Sequence, residues 1–176
     1  MKKGLVQVYT GDGKGKTTAA IGQGIRAFGR GKTVYMVQFL KSNETGELTT
    51  LKSLEPRFRV FRFEKNRDFV WKLSTEEKEE LKDDIAKALV FVRDTFRDKC
   101  CDILILDEIM AVLGNELASI DNVLDIIKSK PEKVELILTG RNVPKEIIEV
   151  ADYVSQIDCV KHPYQKGIAA REGIEY

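Results

Sequence analysis

Lys16 and Thr17 close a glycine-rich run, 10-TGDGKGKTTAA-20, and residues of these types at this spacing grip phosphate. In the pattern G-x-x-x-x-G-K-[ST], backbone N–H groups point into the loop and the following helix N-terminus adds positive partial charge. The lysine reaches the phosphates, and the hydroxyl faces a divalent cation. Thr10 stands where that pattern has its first glycine, Gly11 follows one place late, and Lys14 adds a second positive charge. The residues expected to cradle a nucleotide's phosphates are Thr10, Gly11, Asp12, Gly13, Lys14, Gly15, Lys16, Thr17 and Thr18, with Thr17 offering its hydroxyl to Mg2+. In 103-ILILDE-108 an apolar run empties into two carboxylates, and either Asp107 or Glu108 can hold Mg2+ directly or through water. Arg141, after the run 136-LILTG-140, can reach a phosphate or carboxylate through its two-pronged guanidinium; a plain surface arginine is the competing reading. His162 is the only histidine, which excludes a His-rich metal site. It is expected to be structural or to sit behind the site.

These groups need elements to hold them. The segment 4-GLVQVY-9 alternates and reads as a strand, and Ile21, Ile25 and Phe28 recur at helical spacing until Gly29 and Gly31 end the run. Strand, glycine loop and helix are the setting a phosphate loop needs. Further strands are expected over 33–41, 57–63, 102–108, 133–140 and 153–160, with a polar loop with room for a short helix over 42–55. Ser74 and Glu77 form a capping box before Leu81, Ile85, Leu89, Val92 and Phe96, which marks the clearest helix in the chain. Helices are also expected near 116–129 and over 145–151, with a loop at 64–73 that holds the single tryptophan. Alternation of this kind predicts a three-layer αβα fold, mostly parallel in its sheet, forming one domain over 1–176. Ligands of such sheets bind at the carboxyl ends of the strands, where both the phosphate loop and the acidic pair fall. An acidic pair there is also what a RecA-like ATPase carries, its glutamate positioning the attacking water.

Bulk properties narrow the classes. The 176 residues, 43% hydrophobic, suffice for one real core. A net charge of +1 gives no footprint for nucleic acid. No apolar run approaches membrane-spanning length, and the lysine-bearing N-terminus enters its first strand without the apolar stretch of a signal peptide. Cys100, Cys101 and Cys159 form no C-x-x-C pair, so a reduced cytoplasmic protein whose thiols pack rather than bind metal is expected.

Taken together, 9-YTGDGKGKTTAA-20, 35-YMVQFLK-41, 104-LILDE-108, 138-LTGR-141 and 161-KHPYQKGIAAREGIEY-176 resemble the P-loop corrinoid adenosyltransferases. The match runs in order over nearly the whole chain. The resemblance implies a RecA-like P-loop NTPase fold that binds MgATP in reversed orientation, so that the loop holds the triphosphate as a leaving group. A reduced Co(I) corrinoid then attacks the ribose C5′ carbon. It further implies that Lys16 and Glu108 serve the reaction, that Phe69 and Trp71 press on the lower face of the corrin in place of its axial base, that an electron donor such as a flavoprotein reductase is needed, and that the protein is a homodimer. The chain departs from the family pattern in three places: the first strand starts almost at Met1, no tryptophan precedes the Gly-Glu of 41-KSNETGE-47, and Met110 follows the acidic pair where threonine is common. The competing classes are a RecA-like ATPase or small-molecule kinase, and a corrinoid carrier that binds without catalysis. A thymidine-kinase-type enzyme would carry a C-x-x-C zinc lasso, which is missing.

Overall fold

A computed structural model describes residues 3–41 and 45–175. Six strands, β1 (Val6–Thr10), β2 (Val34–Gln38), β3 (Phe58–Phe61), β4 (Ile103–Asp107), β5 (Glu135–Thr139) and β6 (Tyr153–Gln156), form one sheet in the order β3-β2-β4-β5-β1-β6. Every pairing in it is parallel. All the strands therefore deliver their carboxyl ends to one edge.

The strand sequences explain the two covered faces. On β4, Ile103 and Ile105 face one side and Leu104 and Leu106 the other, and β5 repeats this with Ile137 against Leu136 and Leu138. The isoleucine side packs on Ala20, Ile21 and Ala27 of α1 (Lys16–Phe28) and on Leu51 of α2 (Gly46–Lys52). The leucine side packs on Leu81, Ile85, Leu89, Val92 and Phe96 of α3 (Thr75–Arg97), together with Val123, Ile126 and Ile127 of α5 (Ile120–Ser129). The Ser74–Glu77 capping box is formed at the head of α3, as its spacing predicts.

Several boundaries differ from the sequence expectation, each for a local reason. Ile25 is 45% exposed, because α1 turns Ala20, Ile21, Gly24 and Ala27 inward instead; a Cβ on Gly24 would meet the Phe58 ring at 2.8 Å. Strand β2 stops at Gln38, since Leu40 takes a left-handed φ of 53° that no strand continues. A helix that patterning gives no warning of, α4 (Ile109–Gly114), follows β4 directly through Glu108, also left-handed at φ 64°. The helix expected near 116–129 begins only at Ile120, capped reciprocally by Ser119 and Asn122. Helix α6 (Lys145–Val150) leads to β6, which ends at Gln156 and, at one of the sheet's two edges, is exposed throughout. The short helix in the 42–55 segment is α2; Ser42, Asn43 and Glu44, like Met1, Lys2 and the final Tyr176, lie outside the described residues. Only Cys101 packs inside, its thiol pushed up to about 12 by burial, whereas Cys100 and Cys159 are exposed. Among the described residues no helix is long and apolar enough to cross a membrane, and none of the His, Cys, Asp and Glu side chains gather in threes as a metal site.

Candidate functional site

The glycine loop leaves β1 beneath a wall made by the chain just after β6. Gly13 N–H donates to Ile157 O at 2.8 Å. A Cβ on Gly11 would come within 2.4 Å of Ile157 O, and one on Gly13 within 2.7 Å of Asp158 O. Thr10 by contrast is the last residue of β1, buried and in register with Gln156. This accounts for the shifted glycine: the tight place is one residue later than usual, at Gly11, whose φ of 101° also suits glycine. Gly15 caps α1 at φ 121° with no side-chain cap, so the helix N-terminus keeps its N–H groups turned to the loop.

Lys16 Nζ donates to Gly11 O at 2.7 Å and Gly13 O at 2.8 Å, folded back over the loop it serves. Burial lowers its pKa, with Arg141 adding to the effect and Glu108, Asp12 and Asp107 opposing it. Asp12, Lys14 and Thr18 are exposed along the loop's rim.

Asp107 is the hub of the site. Its carboxylate is fully buried and accepts four hydrogen bonds: Oδ1 from Thr17 Oγ1 (2.9 Å) and Thr139 Oγ1 (2.7 Å), Oδ2 from Lys41 Nζ (2.7 Å) and Gln38 Nε2 (3.2 Å). Lys41 Nζ also donates to Thr17 Oγ1 at 3.0 Å. An ammonium thus bridges the hydroxyl expected to face a metal and one of the two carboxylates the sequence offers to it. The pair is already arranged around positive charge and supplies the hard oxygen donors that Mg2+ takes, so the residues fit that ion. Glu108 sends its N–H to Thr139 Oγ1 at 2.9 Å and lines the cleft with its carboxyl. Its pKa is raised, first by burial and then by Asp107, against the pull of Lys41, Lys16 and Arg141. Arg141 follows Gly140, whose φ of 139° and close approach to Met110 (a Cβ would meet Met110 Cβ at 2.6 Å) fix the turn. Its Nη1 lies 3.9 Å from Asp12 Oδ1 across the loop.

Phe69 and Trp71 sit at the other end of the same space. Their rings stack at 4.5 Å and 9° on a single 3-10 turn, Val70–Lys72, and are 60% and 73% exposed. They are therefore not tucked onto the core. Val70 and Leu73 take that part, packing beneath the turn. One cleft of about 1160 Å³ reaches from the glycine loop past Glu108 and Arg141 to both aromatics, with Gly173, Ile174 and Glu175 of the tail along its border. His162 also borders it; its ring nitrogen Nδ1 accepts from Tyr164 N–H at 3.2 Å and caps the turn Pro163–Lys166.

Sequence reading missed Lys41, Gln38 and Thr139 as parts of the site. A signal existed for two of them. Gln38 is the polar residue on which the apolar strand β2 ends, and Thr139 ends β5 in the same way.

A glycine loop between β1 and α1, a buried carboxylate on β4 answering its threonine, and an all-parallel sheet define a P-loop nucleotide-binding protein of the RecA-like type. The fold is shared with the KaiC-like protein PH0186 of Pyrococcus horikoshii OT3, at a TM-score of 0.53 over 89% of this chain and 73% of that one, with 18% identity. Within that class the chain belongs to the ATP:corrinoid adenosyltransferase family, BtuR/CobO/CobP, whose profile matches residues 2–176. The corrinoid adenosyltransferase of Escherichia coli K12 is 32% identical over 99% of this chain and 87% of its own length. The enzyme of that name from Sinorhizobium sp. is 33% identical over 99% of this chain and 81% of its own.

Proposed function

We propose that the protein transfers the 5′-deoxyadenosyl group of ATP to the Co(I) centre of a reduced corrinoid and releases triphosphate. The observation that carries this reading is the single cleft joining a triphosphate-sized cationic loop to an outward-facing aromatic pair. Co(I) is its own nucleophile and has no proton to lose, so the chain needs no general base. What it must supply is charge for the departing triphosphate and alignment of cobalt with C5′. Lys16, Lys14, Arg141 and the loop amides supply the charge. Thr17 and Asp107 would hold Mg2+, with Glu108 beside them, and the ion when bound neutralises part of the triphosphate. Gln38 and Thr139 keep the Asp107 carboxylate in place.

Phe69 and Trp71 take the corrin. Two exposed rings held flat against each other present an apolar plane beside a charged site, a surface suited to a flat macrocycle and poor at hosting a coordinating base. Excluding the axial base makes Co(II) easier to reduce, which an electron donor such as a flavoprotein reductase then exploits. We place the protein in the cytoplasm, as one domain over 1–176 working as a homodimer; the reduced thiols and the family resemblance support this.

Anaerobic incubation with MgATP and chemically reduced cobalamin tests the reading. The expected products are the adenosylcobalamin spectrum and stoichiometric triphosphate. ADP with orthophosphate and no cobalt–carbon bond would overturn it in favour of an ATPase or a non-catalytic carrier.

A further inference from the structure

The aromatic turn has a tether that no motif announces. Residues 68–72 make only local hydrogen bonds among the described residues: Phe69 N–H and Lys72 Nζ to Asp68, Lys72 N–H to Phe69 O, and Leu73 N–H to Val70 O. Val70 and Leu73 fix the turn from its carboxyl side by packing. From the amino side the tether is Arg67, whose side chain is only 10% exposed although the loop around it is polar. Its Nη2 donates to Glu80 Oε2 at 2.9 Å and to Asp84 Oδ2 at 3.4 Å, and its Nη1 to Glu77 O at 3.2 Å. Glu77, Glu80 and Asp84 form one stripe of α3, and the same turns of that helix bury Leu81 and Ile85. The helix is as fixed as the core.

We propose that Arg67 is a positioning residue for the corrinoid: its guanidinium clamps the amino side of the aromatic turn to α3 and so holds Phe69 and Trp71 out into the cleft. This rests on the corrin-facing reading of that pair. A planar fork that spends its N–H groups on three acceptors of one rigid helix fixes direction as well as distance, which a single ammonium does not. Without it, the turn keeps its apolar footing and, further back along the chain, only the Glu64 carboxylate on Leu40 N–H and the exposed Lys65–Glu80 pair, so its rings gain freedom to swing. A stacking surface that wanders loses affinity for the macrocycle without touching the phosphate loop.

Trp71 is the only tryptophan, so its fluorescence reports on this turn alone. For Arg67→Met, indole anisotropy should fall and acrylamide quenching should rise in the ligand-free protein. The KM for cob(II)alamin under a weak reductant should rise about tenfold or more, while the KM for ATP stays within about twofold. Arg67→Lys, which keeps the charge and loses the fork, should lie between the two. Wild-type anisotropy together with a wild-type corrinoid KM in folded Arg67→Met would overturn the proposal. If that variant fails to fold because buried Asp84 is left with Lys87 as its one remaining charge partner, at 3.0 Å, Arg67→Met/Asp84→Leu removes the carboxylate as well and is read by the same criteria. Phe69→Ala separates this proposal from the reading beneath it. Altered anisotropy in the Arg67 variants with no effect of Phe69→Ala on corrinoid KM would uphold the clamp and sink the corrin assignment of the pair. A large Phe69→Ala effect with silent Arg67 variants would do the reverse.

Discussion

The cleft has two ends built on opposite plans. At the phosphate end the working groups come from separate elements, Thr17 from α1, Gln38 from β2, Asp107 from β4 and Thr139 from β5, and they are knitted by hydrogen bonds of 2.7–3.2 Å around a fully buried carboxylate. At the aromatic end two neighbouring residues on one short turn stand in solvent, tied to the body by two apolar side chains and one arginine. The first plan suits a ligand whose charge must be met at fixed points, because electrostatic stabilisation depends on donors already in place. The second suits a broad flat ligand that has to be admitted and released. On the proposed function, the chain would hold its small, charged substrate by a preformed lattice and its broad, flat one by a surface.

Variants at the two ends should separate binding of the two substrates. The largest effect is expected from Lys16→Ala, which removes the ammonium that lies over the loop carbonyls of Gly11 and Gly13. Adenosylation measured by triphosphate release should drop by roughly 10²–10³, with the far-UV spectrum and corrinoid affinity unchanged. A folded variant with near-normal turnover would break the assignment of the phosphate end.

Phe69→Ala/Trp71→Ala probes the other end. Because both rings are exposed, stability should stay within about 0.5 kcal/mol per substitution, and MgATP affinity should hold. Adenosylation starting from Co(II) and a weak reductant should collapse, whereas preformed Co(I), which keeps no axial base, should recover much of the rate. Equal loss from both starting states would mean that the rings bind the macrocycle without tuning its ligation.

Gly11→Ala should weaken the phosphate end through the fold itself. Its left-handed φ and the 2.4 Å approach to Ile157 O leave no room for a methyl group. Strain of about 1–3 kcal/mol should lower the thermal midpoint and carry ATP affinity down with it, leaving titration by corrinoid unaltered. An unshifted midpoint would show that the wall after β6 yields.

The two plans also differ in how far they could be read beforehand. The glycine loop and the acidic pair are contiguous in sequence, so their chemistry is legible from spacing. The hub they form is not, since Lys41, in the segment after β2, and Thr139, at the end of β5, reach Asp107 only because the sheet order places β2 and β5 on either side of β4. Helix α4 escaped because it starts from a left-handed Glu108 rather than from a capping residue. The alternating β4 and β5 sequences and the α3 stripe gave the layers, since periodicity reports burial directly. Phe69 and Trp71 carry no pattern of their own; family resemblance singled them out, and Arg67 beside them reads as one more loop charge until α3 is seen opposite it.

The smallest effect should come from Glu108→Gln, and its sign distinguishes a strained phosphate end from a relaxed one. Burial, then Asp107, raises the Glu108 pKa above 4.5 in the folded protein. The fold therefore binds that proton more tightly than the unfolded chain does, and ionising the group weakens the fold. The contribution is fully present below the unfolded value of about 4.5, where both states are protonated, and is lost as pH rises through the raised folded value. Glutamine mimics the protonated form at every pH. Thermal melts of wild type and variant should therefore coincide below about pH 4, diverge as the pH climbs past that point, and run parallel at neutral pH with the variant slightly more stable. The same substitution should weaken Mg2+-dependent use of ATP and spare corrinoid binding, so that stability and function move in opposite directions. A variant less stable than wild type at neutral pH would mean that Lys41, Lys16 and Arg141 outweigh burial. The carboxylate would then be one more satisfied member of the lattice around Asp107, not a charge held there for the substrate's metal.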